Sequence, residues 1–145
     1  MRILRFIDST GRTHWGVPTD DRHAAPIIGD LFGSFTVAGS PVEIVCRLAP
    51  VPPPNIYGVG RNYREHAAEM TGEPPPTEPL IFLKATTSVI GPDESVILPA
   101  SAPDEVDYEG ELAVVIGQRV KNIPESAALD CVFGYTCAND VTARD

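Results

Sequence analysis

Proline placement constrains this chain more than any other feature. Eight of its 15 prolines fall between Pro50 and Pro79, and only Pro124 lies beyond Pro103. Proline has no N–H to donate and its ring clashes with the preceding helical turn, so neither a long helix nor a central strand can cross these runs. Ala49–Pro54 (APVPPP) therefore reads as a rigid extended linker. It divides residues 1–50 from residues 51–145, a division that 145 residues allow as a small leading unit and part of a larger one. The leading unit alternates short apolar runs with turn residues: Arg2–Ile7, a turn at Ser9-Thr10-Gly11, then Thr13–Val17. That pattern predicts a small β-rich domain over 1–50.

Beyond the linker, Asn55–Val59 reads as a strand. A helix is predicted from Asn62 to about Thr71, with Asn62 as N-cap, Glu65 completing a capping box, and Tyr63, Ala67 and Met70 as its buried stripe. Leu80–Lys84, Val96–Leu98, Leu112–Ile116 and Phe133–Val141 read as strands, and Pro124–Asp130 as a short helix opened by proline. Leu112–Ile116 is apolar on both faces, as in an interior strand. Strands dominate, so the expected class is α+β, mainly β.

Composition narrows the function. Eleven Lys and Arg against 20 Asp and Glu give a net charge of −9. Phosphate binding needs a basic face, so nucleic acid is excluded as the main partner, as is an anionic membrane surface. The longest apolar run, Leu112 to Gly117, is far too short to span a bilayer. Arg5 and Asp8 interrupt any secretory signal, so a cytoplasmic location is expected. Cys46, Cys131 and Cys137 are odd in number and lack metal spacing, which points to buried free thiols.

Three groups of residues can carry chemistry. In D-Y-E-G-E-L-A-V-V-I (Asp107–Ile116), strand alternation puts Glu109, Glu111, Ala113 and Val115 on one face and Tyr108, Leu112, Val114 and Ile116 on the other. Two carboxylates at the mouth of an apolar strand repel each other, and a hard divalent cation, Mg²⁺, Mn²⁺ or Ca²⁺, would relieve that; a solvated strand end is the plain alternative. Asp140 follows the small residues Gly134, Thr136 and Ala138 on its face, which leaves room for a third ligand; capping of the next turn is the alternative. His66 and Glu69 form an i,i+3 pair in which the carboxylate can orient the imidazole to activate water, or they are an ordinary surface pair. Gly58-Val59-Gly60 imitates a dinucleotide fingerprint, but Tyr63 stands at the third glycine. His14 and His23 show no partner pattern and read as surface or turn residues.

At these residues the chain resembles the fumarylacetoacetate hydrolase family. The resemblance rests on Gly58–Glu69 (GVGRNYREHAAE), Pro79–Lys84 (PLIFLK), Asp107–Gly117 (DYEGELAVVIG) and Gly134–Asp145 (GYTCANDVTARD), in the family's order. It implies a mixed β-sandwich roll, here the N-terminal part of the catalytic domain over 51–145, preceded by the small domain. It implies Glu109, Glu111 and Asp140 as ligands of Mg²⁺ or Mn²⁺, with Ca²⁺ also admissible. His66 and Glu69 match the catalytic pair of the acylpyruvase-like branch, and Arg144 and Lys84 match substrate-contacting positions.

The implied reaction is hydrolysis of a C–C bond in a small β-diketo or 2-oxo acid through an enolate held by the metal. A 2-hydroxyhepta-2,4-diene-1,7-dioate isomerase or an oxaloacetate-type decarboxylase is the alternative within the family. Family members continue beyond T-A-R-D with further strands, so the resemblance also implies a roll incomplete at its C-terminal side. A non-catalytic fragment or half of a split enzyme is then the second alternative, and the expected macromolecular partner is a second copy or a complementary C-terminal chain.

Overall fold

The computed structural model describes residues 1–63 and 76–144. Its first part is a six-stranded antiparallel sheet of β1 (Leu4–Ile7), β2 (Thr13–Pro18), β3 (His23–Gly29), β4 (Phe35–Val37), β5 (Val42–Glu43) and β6 (Cys46–Leu48). The order is β4-β3-β2-β1-β6, with β5 also on β3. Alternation sends Phe6 inward, where it is fully buried with Ala24, Ala25 and Leu31. Gly16 makes that possible. A Cβ there would stand 2.8 Å from the Ala25 carbonyl oxygen and 2.9 Å from the Phe6 ring, closer than carbon atoms tolerate.

The sheet ends at Leu48, just before the proline run. That run does not stand free as a spacer: the Trp15 indole N–H donates to the Pro50 carbonyl at 2.9 Å. A second tie lies further along, where Phe32 meets Phe133 edge-to-face at 4.8 Å between ring centroids.

The turn between β1 and β2 corrects the expectation for His14. Its Nε2 lies 2.7 Å from Asp8 Oδ2, and its ring is tilted against Phe6. Asp8 Oδ1 accepts from the Thr10 hydroxyl, the Thr10 N–H and the Arg12 N–H. Spacing alone hides the His14 pair, because hairpin register and not helical periodicity brings the two residues together. His23 is likewise paired, with Asp20 at 3.0 Å.

The Thr10 hydroxyl, and after it His14, hold the Asp8 carboxyl well below the usual carboxylate range. A depressed folded-state pKa stabilises above the unfolded value of about 3.9, and the gain is lost as pH falls toward the folded value. Asp8→Asn is therefore expected to lower Tm at neutral pH, with the gap to the parent narrowing as pH falls below about 4. Thermal melts at pH 7 and pH 3 check this, and a pH-independent gap counts against it.

The second part comprises β7 (Ile56–Gly60), β8 (Leu80–Lys84), β9 (Val106–Asp107), β10 (Gly110–Ile116), β11 (Val132–Asn139) and β12 (Thr142–Ala143). These pair as three separate antiparallel ladders, β7-β8, β10-β11 and β12-β9. Gly58 lies opposite Phe82, and a Cβ there would overlap the Phe82 ring. The G-x-G spacing thus seats an aromatic ring against backbone.

Several expectations need correction. Val96–Leu98 forms no strand; prolines at 92, 99 and 103 bracket it, and no described strand offers it a partner. Pro124–Asp130 is two 3-10 turns, Glu125–Ala127 and Leu129–Cys131, too short for an α-helical ladder. Only Cys131 is buried, whereas Cys46 and Cys137 are exposed free thiols. Asn62 and Tyr63 are not helical, and the rest of the predicted 62–71 helix lies outside the described residues. Leu112, Val114 and Ile116 alternate as expected but are exposed, since β10 pairs with β11 alone among the described strands and nothing described covers that face. The mainly-β class is the observed one.

Candidate active site

The strand ends bring the carboxylates together. Register sets Glu111 opposite Ala138 and Gly110 opposite Asn139. Beyond the ladder, the Asp140 N–H donates to the Glu109 carbonyl at 2.8 Å, and the Glu109 N–H donates to Asn139 Oδ1 at 3.0 Å. Glu109, Glu111 and Asp140 are thus neighbours through their backbones. The short β9–β12 ladder then folds the T-A-R segment back: Thr142 pairs with Asp107, and the Arg144 N–H donates to the Glu105 carbonyl at 2.8 Å.

Two cations serve this acidic corner. Lys84, at the end of β8, lies 2.5 Å from Asp140 Oδ1 through Nζ and also donates to the Val141 carbonyl and Thr142 Oγ1, each at 3.2 Å. Three acceptors hold it and tie β8 to the β11–β12 connection. Arg144 spreads its guanidinium over two acids: Nε donates to Asp107 Oδ2 at 3.1 Å, and Nη2 donates to Glu109 Oε1. Asp107 first, then Glu109, keeps this guanidinium more firmly protonated than a free one. The Leu112 N–H points to the Tyr63 hydroxyl at 3.4 Å, which places Tyr63 beside the same strand.

Five of the seven residues that sequence reasoning set at the site are described, and all five come together: Lys84 with Asp140, and Arg144 with Glu109, while Glu111 adjoins through the ladder. His66 and Glu69 lie outside the described residues. Asp107 and Asn139 were missed. The signal for Asp107 was available, because alternation puts it on the face of Glu109 and Glu111; Asn139 acts through a side-chain bond to backbone, which no spacing announces.

The fit of a divalent cation follows from the donors. All are carboxylate oxygens, the set a hard ion selects, and Arg144 and Lys84 show that negative charge here needs compensation. As the side chains stand, no three His, Cys, Asp or Glu groups among the described residues converge on a point, because Glu109 and Asp140 are turned to cations. The residues fit such an ion in the kind of donor they offer.

Comparison with known proteins gives the family and the fold. A family model described as fumarylacetoacetate (FAA) hydrolase C-terminal matches residues 55–145. The oxaloacetate tautomerase YisK of Bacillus subtilis is 44% identical over 119 residues, which is 80% of this chain and 38% of that protein. A protein of Archaeoglobus fulgidus is 48% identical over 122 residues, covering 78% of this chain and 48% of its own. The chain thus spans less than half the length of these curated relatives. The crystal structure of 5-carboxymethyl-2-hydroxymuconate delta-isomerase from Mycobacterium smegmatis superposes on the whole chain with a TM-score of 0.84 at 36% identity, and the chain covers 56% of it. No described helix is long and apolar enough to cross a membrane.

Proposed function

The chain belongs to the fumarylacetoacetate hydrolase family, and on that premise we propose that it acts on small 2-oxo or β-diketo acids, cleaving a C–C bond by hydrolysis through an enolate. The observation that carries this reading is the meeting of Glu109, Glu111 and Asp140 with two cations, Lys84 and Arg144, at one set of strand ends. Acids alone would repel an anionic substrate, as the net charge of −9 does. Acids with an ion, flanked by an arginine, would hold one.

In this reading Glu109, Glu111 and Asp140 hold Mg²⁺ or Mn²⁺, with Ca²⁺ a third candidate, and such an ion supplies Lewis-acid polarisation of an oxygen. Arg144 pairs with the substrate carboxylate and offsets charge that develops on the neighbouring oxygen. Lys84 keeps Asp140 in place. His66, oriented by Glu69, takes a proton from water as the water adds to the distal carbonyl; the C–C bond then breaks and the leaving enolate collects a proton.

A second reading stops at proton transfer between carbon and oxygen, with no bond to carbon broken. The names of the Bacillus tautomerase and the Mycobacterium isomerase favour it. Acetylpyruvate and oxaloacetate, each with Mg²⁺ or Mn²⁺, separate the two. Hydrolysis gives pyruvate and acetate from acetylpyruvate, whereas tautomerisation interconverts the keto and enol forms of oxaloacetate with all carbons retained. Neither change above the metal-only rate counts against both readings.

A further inference from the structure

The face of the leading sheet opposite Phe6 carries a cation with no counter-charge. Arg5 lies in β1 opposite Trp15 on β2 and Leu48 on β6, so the three side chains share that face. Arg5 is half-buried, with its guanidinium 5.8 Å from the centre of the Trp15 ring. Its Nε is shut off from solvent and donates to nothing, and no acid is paired with it among the described residues. The other half-buried cations named above, Lys84 and Arg144, each meet carboxylates. A guanidinium drawn part-way out of water keeps a desolvation cost that an anion beside it offsets.

Arg5 lines a cleft of about 370 Å³ between the sheet and the chain that follows it, a volume at the small end of ligand pockets. Its other walls are largely apolar: Leu48, Pro52, Pro53, Val89 and Ile90. They are held in place. Proline fixes its own backbone, and the Trp15 indole ties Pro50 to the sheet. Gly91 sits so close on β6 that a Cβ there would stand 3.2 Å from the Arg47 carbonyl oxygen. The one acid among the described lining residues, Glu94, accepts from the Gly91 N–H at 2.8 Å. None of the lining residues belongs to the carboxylate corner.

We propose that this cleft is a second ligand site, which takes a small monocarboxylate with an apolar body, its carboxylate on Arg5 and its body against Pro52, Pro53 and Ile90. A planar guanidinium matches a carboxylate edge to edge, and the anion supplies the counter-charge that Arg5 lacks. The apolar walls favour a body larger than a methyl group, because each covered carbon leaves water. Glu94 sets the limit on charge: a dicarboxylate brings a second anion to a wall that already holds one. The site uses no ion and stands apart from the proposed reaction.

Trp15 is the single tryptophan of the chain, and Arg5 lies over its ring, so its fluorescence reads the site. Benzoate titrated into the whole chain without metal should change that emission saturably, with a Kd on the order of 1 mM, as suits a ligand of about nine heavy atoms. Benzamide, its neutral isostere, and acetate, which lacks the body, should each bind about tenfold more weakly or worse, and so should phthalate. Arg5→Gln should weaken benzoate about tenfold, and Arg5→Lys less, since the charge stays and the fork is lost. Ile90→Asp, at a side chain 45% exposed on another wall, should weaken it about as much without altering β1. Glu94→Gln keeps an acceptor for the Gly91 N–H and should bring phthalate close to benzoate.

A parent chain that gives no saturable change with benzoate has no such site. Equal binding by the parent and Arg5→Gln overturns the proposal, as does equal binding of benzoate and benzamide. Arg144→Gln locates the anion: benzoate affinity should be unchanged, and a loss there would put the ligand in the carboxylate corner and end the proposal. Should Arg5→Gln lose its fold by circular dichroism, Ile90→Asp decides, and undiminished benzoate binding by that variant refutes the site.

Discussion

Replacing His66 by Ala is expected to lower turnover by about 10²–10⁴-fold, the usual worth of a positioned general base, with Mn²⁺ affinity left within about twofold. His66 and Glu69 sit in the G-V-G-R-N-Y-R-E-H-A-A-E segment, within the region that matches the family model. The chemistry asks for a group that can take a proton near neutral pH, and histidine is the one side chain whose ordinary pKa suits it. None of the three proposed ligands can serve. Carboxylates committed to a cation are poor bases, and Lys84 already donates to three acceptors. Glu69→Gln removes the orienting charge but keeps a hydrogen-bond acceptor, so a smaller loss, about tenfold, is expected. The two variants are compared on acetylpyruvate at saturating Mn²⁺. A His66→Ala protein that retains near-parental hydrolysis removes His66 from the mechanism. One that loses hydrolysis yet still interconverts oxaloacetate tautomers separates water activation from enolisation.

The parts of this molecule that were readable in sequence are those fixed by short-range rules. Leu80–Lys84 is a strand with the bounds its composition predicts, and β1 and β2 flank the Ser9-Thr10-Gly11 turn. Alternation along β10 is as expected: Glu111, Ala113 and Val115 share the better-covered face. The errors share a cause. Val96–Leu98 has strand residues and no partner, and pairing is a property of the whole sheet. His14 finds Asp8 through hairpin register, and Arg144 finds Asp107 through the β9–β12 ladder, neither of which a local window contains. The carboxylate corner was readable because three of its acids carry family motifs. What those motifs did not reveal is that Glu109 and Asp140 are each occupied by a cation of the chain itself.

The same reasoning makes a strong prediction about the chain in isolation: it should self-associate and bind a hydrophobic dye. Burial assigned from sequence failed on β10 because apolar residues need a second layer, and the described residues do not supply one there. Leu112, Val114, Ile116 and Tyr135 stand 48–60% exposed on one face of the β10–β11 hairpin. On β7–β8 the cross-strand pairs Tyr57–Leu83 and Val59–Ile81 are exposed as well, with Leu83 at 68%. Each such side chain is worth about 1.5–3 kcal/mol when taken from full exposure to full burial, and these are roughly half exposed, so covering eight of them yields on the order of 6–14 kcal/mol. Association costs about 4–15 kcal/mol, so the apolar gain is of the size of the cost. Each of these hairpins also has ladder edges that pair with no other described strand, and such edges template pairing with another chain. A second copy or a complementary chain of the same family are the occupants we propose. Light scattering after size exclusion should give a mass well above 15.6 kDa at micromolar concentration, with strong 1-anilinonaphthalene-8-sulfonate fluorescence. Leu112→Lys together with Tyr135→Lys should cut both signals several-fold by placing charge where a covering layer must sit. A dye-silent, monodisperse monomer of the unaltered chain would show that these faces are tolerated by water, and the association argument would be wrong.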